Sequence, residues 1–333
     1  RVRSSAASDV YKRQVQEEVP PADAVVNPRQ ADCPYPFKHL CGAAVAYKVI
    51  CCLYEAYGIP KEETEEFLEF AGFATVGDVM DLIGENRILV KEGLKRLNHT
   101  QNVGMASLIR ACGLEEKEIK SYHIGFVLGP CINAGGRLDT AKRSLNLLLQ
   151  KDRAKADVMA AELKTLNDER KDMTQTGAEE AIEWIEKEGR SQDKVLVVYL
   201  PDCHESLAGI IAGRIRERYN KPVFVLTDSI DGVKGSGRSI EAYSMFEEMS
   251  KCKELYTKYG GHPMAAGLSL PKENVEKFRT FLNEHTTLTE EDFIPKITID
   301  VPMPIGYVTE HLIEELSVLE PFLSLIHISE PTR

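Results

Sequence analysis

The chain has 333 residues, with 41 Lys and Arg against 52 Asp and Glu, and a formal net charge of −11. That length exceeds what one hydrophobic core usually serves, so two or more domains are expected, and 43% hydrophobic with 28% charged residues excludes a wholly disordered chain. No apolar run approaches the roughly 20 residues of a bilayer-spanning helix, and the acidic balance argues mildly against nucleic acid, whose phosphates call for basic surface.

In chain order, residues 1–14 (RVRSSAASDVYKRQ) and the last ten, 324–333 (SLIHISEPTR), show neither apolar period nor capping pattern. Both resemble translated sequencing-adapter read-through, and the expectation is that they are non-native and that the gene is cut at both ends. Residues 24–26 are expected to form a short strand ending at Asn27-Pro28. A helix over about 41–57 should stop at Gly58-Ile59-Pro60, and an acidic helix should follow around Phe67, Leu68 and Phe70. ATVGDVMDLIGENRILVKEGLKRL is expected to be a turn into one or two helices. IGFVLGPCINAGGRL is expected to be a strand-like run opening into a Gly-rich loop.

From about 139 to 188 the chain is nearly all helix-forming. Met159, Leu163, Leu166, Arg170 and Met173 recur at steps of three and four, predicting a long amphipathic helix interrupted near Gly177. An α/β unit follows: strand 195–200, helix around 205–219, strand 222–227, a Gly-rich GVKGSGRSI, a helix near 243–251, and YGGHPMAAGLSL as a turn, a short buried segment and a strand. A helix from about 272 to 285 closes it. KITIDVPM should start another strand and HLIEELSVLEPF a helix. The eight cysteines contain no C-x-x-C pair, which excludes a zinc ribbon and points to free thiols in a reducing cytoplasm.

Four segments carry chemistry. In GVKGSGRS, Ser236 and Arg238 beside two glycines and Lys234 suit a phosphate, with an ordinary turn as the competing reading. In YGGHPMAAG, Gly260 and Gly261 precede His262, which could bond a phosphate or stack on a base. In GPCINAGGRLDTA, Asn133, Gly135, Gly136 and Arg137 offer anion-binding groups at a loop–helix junction. In ATVGDVMDL, Asp78 either caps a helix or ligates a divalent cation, with Asp81 as a more exposed substitute. Residues 203–240 hold six Lys and Arg against four Asp and Glu, so a local basic groove can bind a strand on an acidic protein.

These segments, taken in order, resemble the DHH phosphoesterase superfamily, most closely its single-stranded-DNA exonuclease branch. NPRQADCPYPFKHLCGAAVAYKV is similar to the segment after the Asp-His-His triplet, ATVGDVMDLIGENRILVKEGL to the fourth metal motif, and GPCINAGGRL to the phosphate-contacting loop. CHESLAGIIAGRIRERYNKPVFVL, KGSGRSI and YGGHPMAAGLSL together resemble the DHH-associated domain, and ITIDVPM with LEPF the start of an oligonucleotide-binding (OB-fold) domain.

The resemblance implies an α/β fold: the C-terminal part of a DHH domain with parallel sheet and helices (15–140), a connecting helix (141–188), a DHH-associated domain (189–286) and a truncated OB start (287–323). It implies a 5′-to-3′ exonuclease of DNA repair and recombination, with two divalent ions, Mn2+ or Mg2+, in the intact enzyme. Its partner would be single-stranded DNA, its location cytoplasmic and its membrane contact none; a repair helicase or single-strand-binding protein stays open as a further partner. Carried over by residue, Asp78 would be the catalytic metal ligand. Arg137, with Asn133 beside it, would clamp phosphate, Ser236 and Arg238 would grip the 5′-phosphate, and Gly260, Gly261 and His262 would contact the nucleotide; His204 and Arg214 are weaker candidates. Cys131 stands where many relatives carry Arg, and Cys203 where Trp is often found. The earlier aspartate motifs and the triplet would precede Val15, so the chain as written is expected to lack most metal ligands and to be inactive. The alternatives are a short-oligonucleotide or nucleotide phosphoesterase of the same superfamily, or a non-catalytic nucleic-acid-binding module.

Overall fold

The computed structural model describes residues 24–323 apart from 139, 231, 297, 298 and 300. The chain divides into two compact units, one of residues 1–167 with 303–333 and one of 168–302. The adapter-like ends and most of KITID lie outside the described residues. No helix among the described residues is long and apolar enough to cross a membrane.

The described part of the first unit is helical. Residues 24–26 have no ladder partner among the described residues and are not strand; the Val25 carbonyl accepts from the Gln30 side chain at 3.1 Å instead. α1 spans Gly42–Ala56; the Cys41 thiol caps it by accepting from the Ala44 amide at 3.4 Å. Pro60 then opens a 3₁₀ segment, Lys61–Phe67, in place of the expected regular acidic helix, and α2 runs from Leu68 to Gly77. ATVG is therefore the end of a helix, not a turn. α3 covers Gly84–Leu97 and crosses α2 at Gly72 and Gly93, where a Cβ on Gly93 would stand 2.9 Å from the Gly72 Cα and from the Leu68 carbonyl. Only two glycines let the backbones approach so closely. α4 spans Val103–Ala111, with Asn102 as a side-chain cap on the Met105 amide.

The expected strand and loop at IGFVLGPCINAGGRL are instead helix. A turn at Ser121–His123 runs through a π-helical stretch, Ile124–Leu128, into α5, Gly129–Leu138. The Gly129 amide bonds the Ile124 carbonyl, and this wider turn precedes Pro130, which has no amide to give. The apolar run is a buried helix face: Ile124, Leu128, Cys131 and Ala134 are all at most 1% exposed. α6 covers Lys142–Leu149, and α7 runs unbroken from Arg153 to Lys187. Gly177 does not interrupt it; a Cβ there would meet the Ile211 side chain at 2.7 Å, so the glycine serves close packing. Residues 319–323 fasten back onto the first unit: Arg87 donates to the Leu319 and Glu320 carbonyls at 2.7 and 2.9 Å, and Leu323 joins the core.

The second unit holds the sheet, in the order β1-β2-β3-β5-β4. β1 (Leu196–Tyr199) pairs parallel with β2 (Val223–Ser229) through the crossover helix α8 (Ala208–Tyr219). β3 (Gly232–Arg238), β4 (Lys258–His262) and β5 (Ala265–Leu270) are antiparallel. The Gly-rich GVKGSGR is thus a strand and not the ordinary turn of its competing reading, and YGGH, expected as a turn, is a strand too. α9 (Met245–Ser250) and α10 (Val275–His285) follow β3 and β5. One sheet face packs Val197, Phe224, Leu226, Val233 and Leu268 into a core with Phe278 of α10; α8 lies on β2 and β3. Among the described residues the one parallel pairing is β1 with β2, so the parallel sheet expected in the first unit is not seen there. Residues 287–323 include no described strand; α11 spans Glu310–Leu316.

Candidate phosphate-binding site

β3 shows why KGSGRS alternates. Val233, Gly235 and Gly237 face the core; a Cβ on Gly235 would fall 2.2 Å from Leu226 Cδ2, and one on Gly237 2.6–2.8 Å from Met245 and Phe224. The glycines are therefore required by packing rather than by the approach of a phosphate. The period of two then turns Lys234, Ser236 and Arg238 to the opposite face.

On that face α8 begins. A Cβ on Gly209 would meet Arg238 Nη2 at 2.8 Å and Ser236 Oγ at 2.9 Å, so the two side chains converge on the first turn of the helix. Arg238 Nη1 donates to the Gly237 carbonyl at 2.7 Å and to Ser236 Oγ at 3.4 Å. Ile210 and Ile211 both donate to the Leu207 carbonyl, which leaves the Ala208 and Gly209 amides without an acceptor inside the helix. Guanidinium, hydroxyl and helix-start amides together form a donor cluster suited to an anion.

The register carries this site across the sheet. Ser236 lies opposite Gly267, which lies opposite Gly260; Arg238 lies opposite Ala265, which lies opposite His262. Directly paired residues share a face, so Ser236, Arg238 and His262 stand on one face with small residues between them. His262 Nδ1 accepts from the Met264 amide at 3.2 Å; in the neutral ring the proton is then on Nε2, a further donor. Gly261 faces the core side, its Cβ position filled by Ala265 and Ala266.

The other expected positions fare differently. His204 is exposed and bonds Ser206 within its own loop at 2.7 Å. Arg214 donates to Gln175 of α7 at 2.5 Å. Asn133 and Arg137 sit four residues apart on one face of α5, but in its last turns. They therefore do not stand at the start of that helix, and the dipole at its end favours a cation. Burial lowers the Arg137 pKa. Asp78 is the C-terminal boundary residue of α2, its backbone amide donating to the Ala74 carbonyl at 2.8 Å. The buried Cys41 thiol is pushed up chiefly by desolvation, and the Asp78 charge adds to this. Val79 follows at φ 50°, a left-handed conformation strained for a β-branched residue by about 1–3 kcal/mol. Among the described residues no three His, Cys, Asp or Glu side chains gather to hold a metal; Asp78 alone does not make a cage for two ions.

One residue of the site escapes a reading of the sequence: Gly209, although the apolar ESLAGIIAGR run after a strand places it near a helix start.

The DHHA1 domain model matches residues 192–287. The single-stranded-DNA-specific exonuclease RecJ of Bacillus subtilis (strain 168) is 38% identical over 309 residues, 92% of this chain and 38% of that protein. A crystal structure of exonuclease RecJ bound to manganese aligns with a TM-score of 0.69 at 32% identity, over 82% of this chain and 67% of that one. RecJ of Thermus thermophilus in complex with Mn2+ aligns with a TM-score of 0.77 at 30% identity, over 88% of this chain and 42% of that one. The chain thus spans about two-fifths of the Bacillus relative's length.

Proposed function

The chain belongs to the RecJ family of single-stranded-DNA-specific exonucleases, and we propose that it holds the 5′ end of a DNA strand for 5′-to-3′ hydrolysis in repair and recombination. The observation that carries this reading is the convergence of Ser236 and Arg238 on Gly209 at the start of α8. An arriving phosphate would take the Arg238 fork, the Ser236 hydroxyl and the first-turn amides as donors, with His262 Nε2 on the neighbouring strand pair. A terminal phosphate carries close to two charges, more than an internal phosphodiester, so a site built of donors prefers the strand end. That preference would set the polarity of digestion.

Asp78 is proposed as a ligand for Mn2+ or Mg2+, in keeping with the ions bound by the crystallised relatives. The role assigned to the described residues is to bind and orient the strand, because no metal-holding group assembles among them. A DNA substrate and free thiols suit a cytoplasmic location.

A salt titration tests the reading. Single-strand affinity should fall with salt by roughly 0.7 log units per log salt for each phosphate held, and Arg238→Ala should flatten that slope by about one contact. A flat response in the wild type would overturn the proposal.

A further inference from the structure

We propose that the same sheet face grips a second phosphate, the next along the strand, through Lys234 and Lys258, and that Glu205 occupies Lys234 until the strand arrives. This rests on Ser236 and Arg238 holding the first phosphate.

Register assigns the residues. Lys234 lies opposite Ser269, and Ser269 opposite Lys258. This row is the third on the face that carries the Ser236–Gly267–Gly260 and Arg238–Ala265–His262 rows. The outer columns hold Lys234, Ser236 and Arg238 on β3, and Lys258, Gly260 and His262 on β4. The middle column, Ala265, Gly267 and Ser269, is small throughout. Nine positions thus form a plate with cationic or imidazole groups at its four corners and no carboxylate among them.

The dimensions suit one strand. Successive rows are two residues apart, about 6.7 Å, and the outer columns are two strand spacings apart, about 9.6 Å. The row step is comparable with the spacing of adjacent phosphates along an extended single strand. The floor is open at its centre: a Cβ on Gly267 would find only the Gly235 carbonyl, at 3.9 Å. α8 borders the plate on the β3 side.

The two lysines are not equivalent. Lys258 is exposed and has no ion-pair partner among the described residues. Lys234 Nζ lies 2.7 Å from Glu205 Oε2, with side chains 49% and 53% exposed. An ion pair this exposed is weak, so a phosphate can displace the carboxylate. Glu205 then serves as a stand-in anion that a strand reaching the third row must displace, while a ligand too short to reach that row leaves the pair intact.

Thymidine 5′-monophosphate, with one phosphate, and 5′-phosphorylated thymidine dinucleotide, with a terminal phosphate and a phosphodiester, separate the two grips. Lys258→Glu should weaken the dinucleotide roughly tenfold and Lys234→Ala about threefold, both leaving the monophosphate unchanged. Glu205→Gln should tighten the dinucleotide about twofold, and Lys258→Arg should keep wild-type affinity; unchanged melting curves establish that each variant is folded. Equal losses on both probes, or none on either, overturn the second grip even where Arg238→Ala loses the monophosphate. Should Arg238→Ala bind the monophosphate like the wild type, the first grip fails and this one with it.

Discussion

Gly209 shows at the scale of one residue how packing and binding can be separated. The atoms its missing Cβ would meet are the Arg238 guanidinium and the Ser236 hydroxyl, the far ends of side chains rather than backbone. Gly209→Ala should therefore fold normally, and could gain up to about 1 kcal/mol of helix propensity. The added methyl would push Arg238 off the helix start and cost about tenfold in affinity for a phosphorylated end, in line with the worth of a charged hydrogen bond. A calorimetric binding curve beside a melting curve checks this: retained stability with lost binding is expected, and loss of both would place Gly209 in the core instead. The residues of this site were nearly all legible in the sequence, because Ser, Arg and His announce donor chemistry by type. The reason for the glycines was not, since Gly235 and Gly237 answer to Leu226, Phe224 and Met245, which sequence distance conceals.

Elements were legible where their pattern was local. α1, β1, β2, α8 and α10 follow from apolar period, caps and Gly or Pro stops. α5 and the strands β3 and β4 did not, for one shared reason: each is rich in glycine, which lowers intrinsic preference for any regular element and so suggests a loop. Tertiary packing overrode that preference. Gly129 lets α5 close against the Ile124 carbonyl, and the glycines of β3 let the sheet sit on its core. The α2–α3 crossing gives the test. At Gly93 the obstructing atoms are backbone on α2, which cannot rotate away. Gly93→Ala should destabilise the first unit by about 2–3 kcal/mol, as overpacking does. Chemical denaturation measures it, and a change below about 0.5 kcal/mol would mean that the helices part easily.

For the molecule as a whole, net charge is a poor guide to partners. At −11 the chain argues mildly against a nucleic-acid partner, yet its second unit gathers Lys234, Arg238, Lys258 and His262 on one plate of small residues. Charge acts locally through the face that carries it, and the face is set by strand register, which composition does not contain. The central claim is that this plate recognises the phosphorylated end of a single strand. Its most direct test is the equilibrium affinity of the protein for two otherwise identical single-stranded oligonucleotides, one ending in a 5′-phosphate and one in a 5′-hydroxyl. The phosphorylated strand should bind about tenfold more tightly, a difference of about 1.4 kcal/mol, and Ser236→Ala with Arg238→Ala should abolish the preference. Equal affinity for the two ends in the wild type would contradict the account.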